Sequence, residues 1–190
     1  MMKRLAVYCG SSPGTDPAFA DSARATGEEM ARRGIGLVYG GGRLGLMGIV
    51  ADAVLAGGGE AHGVIPQALI DLEVAHRGLT ELHVVGSMHE RKAKMTELTD
   101  AFVALPGGIG TFDELFEAWT WNALGYHAKP FALLNVSGFW DGMLAFLDTA
   151  TASGFMSPAR RAQLLVADGI GEAIDLLDGA CGTGEAKMVW

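Results

Sequence analysis

The stretch GLVYGGGRLGLMGIVADAVLA, residues 36–56, decides the fold. Gly36 to Tyr39 is a short run without polar alternation, as expected of a strand buried on both faces. Gly40-Gly41-Gly42-Arg43-Leu44-Gly45 follows as a glycine loop, residues 46–56 read as a helix, and Gly57-Gly58-Gly59 ends it. Strand, glycine loop and helix together make one crossover unit. Working outward, the same alternation recurs. Upstream lie a strand at residues 5–9 and a helix at 17–33, capped by Asp16 and stopped by Gly34. Downstream, strands read at 62–65, 82–85, 101–105 and 131–135, with 164–166 as a last strand. Helices read at 88–99, 112–124 and 140–153. Buried strands alternating with helices imply a parallel sheet with right-handed crossovers. The expected class is α/β, a Rossmann-like doubly wound parallel sheet in a single domain over residues 1–180. The Gly- and Ala-rich end after Leu177 is expected to be poorly ordered, with 181–190 as a flexible tail.

Composition agrees with one domain. The chain has 190 residues, 49% hydrophobic and 19% charged, enough for one core and too few for two ordinary domains. A formal net charge of −8 disfavours nucleic-acid and anionic-membrane partners, which need clustered Lys and Arg. Cys9 and Cys181, at opposite ends of the chain, form neither a disulfide framework nor a metal pattern and read as free thiols in a reducing compartment. Residues 1–11 turn polar too early for a signal peptide, and no apolar run reaches membrane-spanning length, so a cytoplasmic location is expected.

Three loops follow strands and enter helices: Gly10-Ser11-Ser12, Gly40 to Gly45, and Pro106-Gly107-Gly108-Ile109-Gly110-Thr111. In such sheets ligands bind beyond the carboxyl ends of the strands. Backbone without Cβ atoms approaches a ligand closely, its N–H groups point inward, and a helix N-terminus adds partial positive charge. Three such loops on one edge call for an anion. The second also matches G-x-G-x-x-G through Gly40, Gly42 and Gly45, but a dinucleotide site needs an acidic residue at the end of the next strand. Glu60 precedes that strand, which ends in Ile65-Pro66.

On the helix starting at Met88, the residues Met88, Arg91, Lys92 and Met95 follow i, i+3, i+4, i+7 spacing, which places two cations on a mainly apolar inward face. Buried cations need anions. Glu90 and Lys94 read as an ordinary solvated i, i+4 pair. Thr111-Phe112-Asp113-Glu114 reads as a capping box, which competes with a catalytic role for Glu114.

Taken together, Gly40-Gly41-Gly42 with Gly45-Leu46-Met47-Gly48, then Met88-His89-Glu90-Arg91-Lys92, then Pro106-Gly107-Gly108-Ile109-Gly110-Thr111 with Glu114, resemble the Lonely Guy family of cytokinin riboside 5′-monophosphate phosphoribohydrolases. The resemblance covers about residues 3–166. It implies Arg91 and Glu114 as the catalytic pair, with Glu73, Lys92 and Gly108 through Thr111 lining the nucleotide site. Met88, Gly107 and Asp113 belong to the same motifs, and Gly10, Ser11, Gly41, Gly42 and Gly45 to the other phosphate loops. Where the family's acidic pair is usually Glu-Glu, this chain has Asp113-Glu114. The resemblance also implies a homodimer, in keeping with the helix that carries Trp119 and Trp121.

Cleavage of a ribose–base bond passes through an oxocarbenium-like sugar, so the site needs a carboxylate near the anomeric carbon and a means of stabilising the departing base. Glu114 is the candidate carboxylate, and Arg91 holds either the ribose phosphate or the leaving group. No cofactor is expected. Many family members were formerly labelled lysine decarboxylases, but that chemistry requires pyridoxal phosphate on a Schiff-base lysine with an acidic partner for the ring nitrogen, and only Lys92 and Lys94 lie near the motifs. No metal is expected either: His83 and His89 are not helical partners, and His62, His76 and His127 read as isolated. A non-catalytic nucleotide or cofactor carrier is the alternative of a different class. Adenine and N6-prenylated adenine both stay open as the base.

Overall fold

Seven strands form one sheet in the order β4-β3-β2-β1-β5-β6-β7, with every neighbouring pair parallel. The structure is a computed structural model that describes residues 2–70 and 74–181. The strands are β1 Arg4–Tyr8, β2 Gly36–Tyr39, β3 Ala61–Pro66, β4 Glu81–Val85, β5 Ala101–Ala104, β6 Phe131–Leu134 and β7 Leu164–Ala167. The helices are α1 Pro17–Arg33, α2 Gly45–Ala56, α3 Met88–Leu98, α4 Ile109–Ala123, α5 Asp141–Ala152, α6 Pro158–Ala162 and α7 Ile170–Ala180.

Successive side chains of a strand point to opposite faces, so a strand without polar alternation feeds two cores. Leu5 and Val7 of β1 join Met30, Val50, Val54 and Leu177 beneath α1, α2 and α7. Ala6 and Tyr8 join Met95, Leu115, Trp119 and Trp140 beneath α3, α4 and α5. The chain lays down β1 to β4 in one direction and then returns to place β5 on the other side of β1. That reversal opens a crevice beyond the carboxyl ends of β1 and β5.

Three local expectations are corrected. Helix α4 begins at Ile109, with Gly108 as its N-cap, so Thr111 is buried in the first turn and caps nothing. The glycine preceding Ile109 leaves the backbone free to turn earlier than the Thr-x-x-Glu pattern suggests. A side-chain cap of that type does occur on α3: Ser87 Oγ accepts from the Glu90 N–H at 3.1 Å, and the Glu90 carboxylate accepts from the Gly86 N–H at 2.8 Å. Lys94 accordingly pairs with Glu97 at 3.0 Å rather than with Glu90. Finally, the chain past Leu177 is helical through Ala180, because Leu177 is fully buried and Asp178 accepts from the Met2 N–H at 2.6 Å. Residues 182–190 of the expected tail lie outside the described residues.

Candidate active site

The three glycine loops meet at the crevice. Gly10 N–H donates to Pro106 O at 3.1 Å, and Leu46 N–H donates to Gly10 O at 3.0 Å, which ties the first loop to both others. Gly45 adopts φ +59°, and a Cβ there would run into the backbone of Ser11 and Ser12. A Cβ on Gly107 would meet Thr111 and the Gly10 amide. Packing therefore accounts for these two glycines. It does not account for Gly108 and Gly110, where an added Cβ would have nothing within 4 Å. Neither α2, which follows Leu44, nor α4, which follows Gly108, has a side-chain cap. Both present their first-turn dipole to the crevice. Gly10, Ser11, Leu46, Gly107, Phe19 and Phe139 line one side of it.

Gly41 and Gly42 are buried beneath a crossing segment: Arg43 N–H donates to Val74 O at 3.0 Å, His76 N–H donates to Gly41 O at 2.9 Å, and Gly42 bridges Ala75. Glu73, just before that segment, lies outside the described residues.

Arg91 is 3% exposed. Its Nε donates to Val64 O at 3.0 Å and its Nη2 to Gly40 O at 2.6 Å, so the guanidinium is held at the carboxyl ends of β2 and β3. A side chain on Gly40 would occupy the space of that Nη2. Met88, half out in solvent, places its sulfur 3.8 Å from Arg91 Nη1. The inward cation foreseen from helical spacing is thus partly satisfied by backbone carbonyls, which a residue pattern cannot display.

Lys92 bridges to α4 through Asp113 at 3.1 Å and Glu117 at 2.6 Å. Burial works against its charge, but the hydrogen bonds to Glu117 and Asp113 outweigh this and hold the ammonium above the ordinary lysine range. Glu114 is half-buried on the same helix, over the end of β1. Burial raises the Tyr8 phenol well above its ordinary pKa, and the charges of Glu114 and Glu117 push it further; the Cys9 thiol is raised by burial and by Glu114. Sequence reasoning missed Tyr8 and Glu117. The i, i+3 spacing of Glu114 and Glu117 was the available signal.

A family profile described as "Possible lysine decarboxylase" matches residues 47–177. A probable cytokinin riboside 5′-monophosphate phosphoribohydrolase of Oryza sativa subsp. japonica is 53% identical over 159 residues, spanning 84% of this chain and 70% of its own. The cytokinin riboside 5′-monophosphate phosphoribohydrolase of Rhodococcoides fascians is 47% identical over 173 residues, spanning 90% and 87%. The chain belongs to the Lonely Guy family. Solved structures share the fold more widely: the Moco carrier protein of Chlamydomonas reinhardtii superposes with a TM-score of 0.71 at 21% identity, covering 95% of this chain and 98% of that one. The molybdenum cofactor binding protein of Rippkaea orientalis gives 0.70 at 20%, covering 94% and 97%. At such identity the likeness concerns the fold alone.

The older description of the Lonely Guy family does not fit these residues. A Schiff-base lysine must lose its proton to attack a carbonyl, whereas Lys92 is held charged between two carboxylates and Lys94 is paired with Glu97. Among the described residues no helix is long and apolar enough to cross a membrane.

Proposed function

We propose that this protein hydrolyses the N-glycosidic bond of a nucleoside 5′-monophosphate, a cytokinin riboside 5′-monophosphate or AMP, releasing the free base and ribose 5-phosphate. The observation that carries the reading is the convergence, at one sheet edge, of two uncapped helix N-termini with the Arg91 and Glu114 positions of the family. The 5′-phosphate is held where the loops containing Gly10, Ser11, Gly41, Gly42 and Gly45 meet the first turn of α4 at Gly107 to Thr111, facing the helix N-termini. Gly108 and Gly110 keep space open for it. Met88, Glu73, Lys92 and Asp113 complete the binding set, the last two by fixing α3 to α4 beside the ligand.

Glu114 acts where positive charge develops. As the bond from C1′ to the base nitrogen breaks, its carboxylate stabilises the oxocarbenium-like sugar and orients water toward C1′; the water oxygen forms the new bond, and the base leaves with a proton. Such a group contributes on the order of 100- to 10,000-fold in rate. Arg91, anchored to two carbonyls, holds the ribose phosphate or the leaving base.

Incubation with AMP or its N6-isopentenyl derivative, without added metal or cofactor, should give free base and ribose 5-phosphate on chromatography. Intact nucleotide retained after hours would favour the carrier reading, which only fold likeness supports. The working form is a cytoplasmic homodimer. Phe155, Tyr126 and Phe146 are 89%, 75% and 68% exposed, apolar area available to a second copy of the chain. Light scattering should report twice the 19.9 kDa chain mass, and a monomer at working concentration overturns the dimer.

A further inference from the structure

We propose that His62, Glu81 and His83 form a binding site for a divalent transition-metal ion, zinc in the first instance, that clamps the edge strand β4 onto β3. Spacing along the sequence concealed the site, because its ligands come together only through strand pairing. His62 lies opposite Glu81 and Val64 opposite His83 in the parallel register, so both imidazoles and the carboxylate share one face.

The Nδ1 of His62 is 3.6 Å from Glu81 Oε2, and the Nε2 of His83 is 3.4 Å from the same oxygen. One ligand atom from each of the three residues lies within 4.8 Å of the others. Metal–ligand bonds of about 2.0–2.1 Å at tetrahedral angles place ligand atoms about 3.3–3.4 Å apart, so the cluster is close to the spacing a zinc ion needs. Both facing nitrogens are buried and, among the described residues, make no hydrogen bond. Buried ring nitrogens in that condition cost free energy unless something fills the gap between them. His62 is 5% exposed, and its other nitrogen lies 3.4 Å from Glu60 Oε2. A carboxylate on the far nitrogen directs the lone pair of Nδ1 into the cluster, as metal-bound histidines commonly require. Glu81 is half-exposed and provides the route in from solvent.

Two imidazoles and one carboxylate select zinc or a similar ion over magnesium or calcium, which prefer oxygen throughout. The site is structural. His62 and Glu81 stand at the amino ends of β3 and β4, whereas the glycine loops lie at the carboxyl edge. Its link to that edge is β3 itself, because Val64, two residues beyond His62, supplies the carbonyl that holds Arg91 Nε.

The test uses tag-free, chelator-stripped protein titrated with zinc chloride, followed by calorimetry and by thermal unfolding. One zinc per chain and a raised thermal midpoint are expected. His83→Gln and Glu81→Gln should each weaken binding more than tenfold and abolish the shift. Because the Glu81 side chain is 58% exposed, its substitution leaves folding intact and the result readable even if His83→Gln unfolds the chain. Failure of the wild type to bind zinc, binding undiminished in Glu81→Gln, or an equal thermal shift from magnesium overturns the proposal.

Discussion

Glu114 had two competing explanations in the sequence, and its position on α4 removes one of them. The helix starts at Ile109 and Gly108 caps it, so Glu114 lies beyond the first turn and its carboxylate completes no cap. Glu114→Gln should therefore leave the thermal midpoint near wild type, since no capping contribution of about 0.5–2 kcal/mol is lost. Turnover should fall by roughly 100-fold or more while nucleotide still binds. Near-normal rates in this variant would remove the carboxylate from the chemistry. Arg91 was legible because Met88, Arg91, Lys92 and Met95 repeat at helical spacing; the structure buries Arg91 and Met95 but leaves Met88 42% exposed, since the first turn of α3 overhangs the sheet edge. What lay beyond reading was its anchorage: the acceptors are the carbonyls of Gly40 and Val64, 51 and 27 residues away, and backbone atoms leave no residue signature. Glu117 went unread for a related reason, since its meaning depends on Lys92 reaching across from another helix.

At the scale of elements, the N-terminus of α4 separates two reasons for a glycine. Gly107 has none of its surroundings to spare, whereas Gly110 has open space where a Cβ would stand. Alanine in a helix is more stable than glycine by roughly 0.5–1 kcal/mol. Gly110→Ala should thus unfold at the wild-type temperature or slightly above it, yet raise the KM for nucleotide about tenfold or more, because the new methyl group stands where the phosphate approaches. Equal KM values would mean that the loop does not hold the phosphate. The strands were legible to within about a residue, for continuous apolar runs such as Ala101–Ala104 admit little else. Helix ends were harder. A Thr-x-x-Glu pattern drew the start of α4 three residues late, and the Gly- and Ala-rich composition of α7 hid a usable signal: Ile170, Ala173, Ile174 and Leu177 repeat at i, i+3, i+4, i+7 and are all buried.

For the whole molecule, seven parallel strands with a reversal between β1 and β5 dictate where a ligand binds but not what becomes of it. The parallel, doubly wound class was readable because buried strands alternate with helices, but the strand order was not, since nothing in the sequence marks where the chain returns to β1. The β3–β4 pairing that gathers His62, Glu81 and His83 was hidden as well, since register across an edge strand depends on tertiary contacts. The same fold occurs in proteins described as molybdenum cofactor carriers, so architecture alone does not decide for catalysis, and the proposed chemistry rests on Arg91 and Glu114. The central claim is that the glycine loops recognise a 5′-phosphate and that binding energy from it drives cleavage at C1′. The most direct measurement is kcat/KM for AMP or its N6-isopentenyl derivative against that for the matching nucleoside without phosphate. A ratio of at least about 100 is expected, corresponding to roughly 2.7 kcal/mol of transition-state stabilisation from the phosphate contacts; equal values for nucleotide and nucleoside, or no free base from either, would overturn phosphate-driven cleavage.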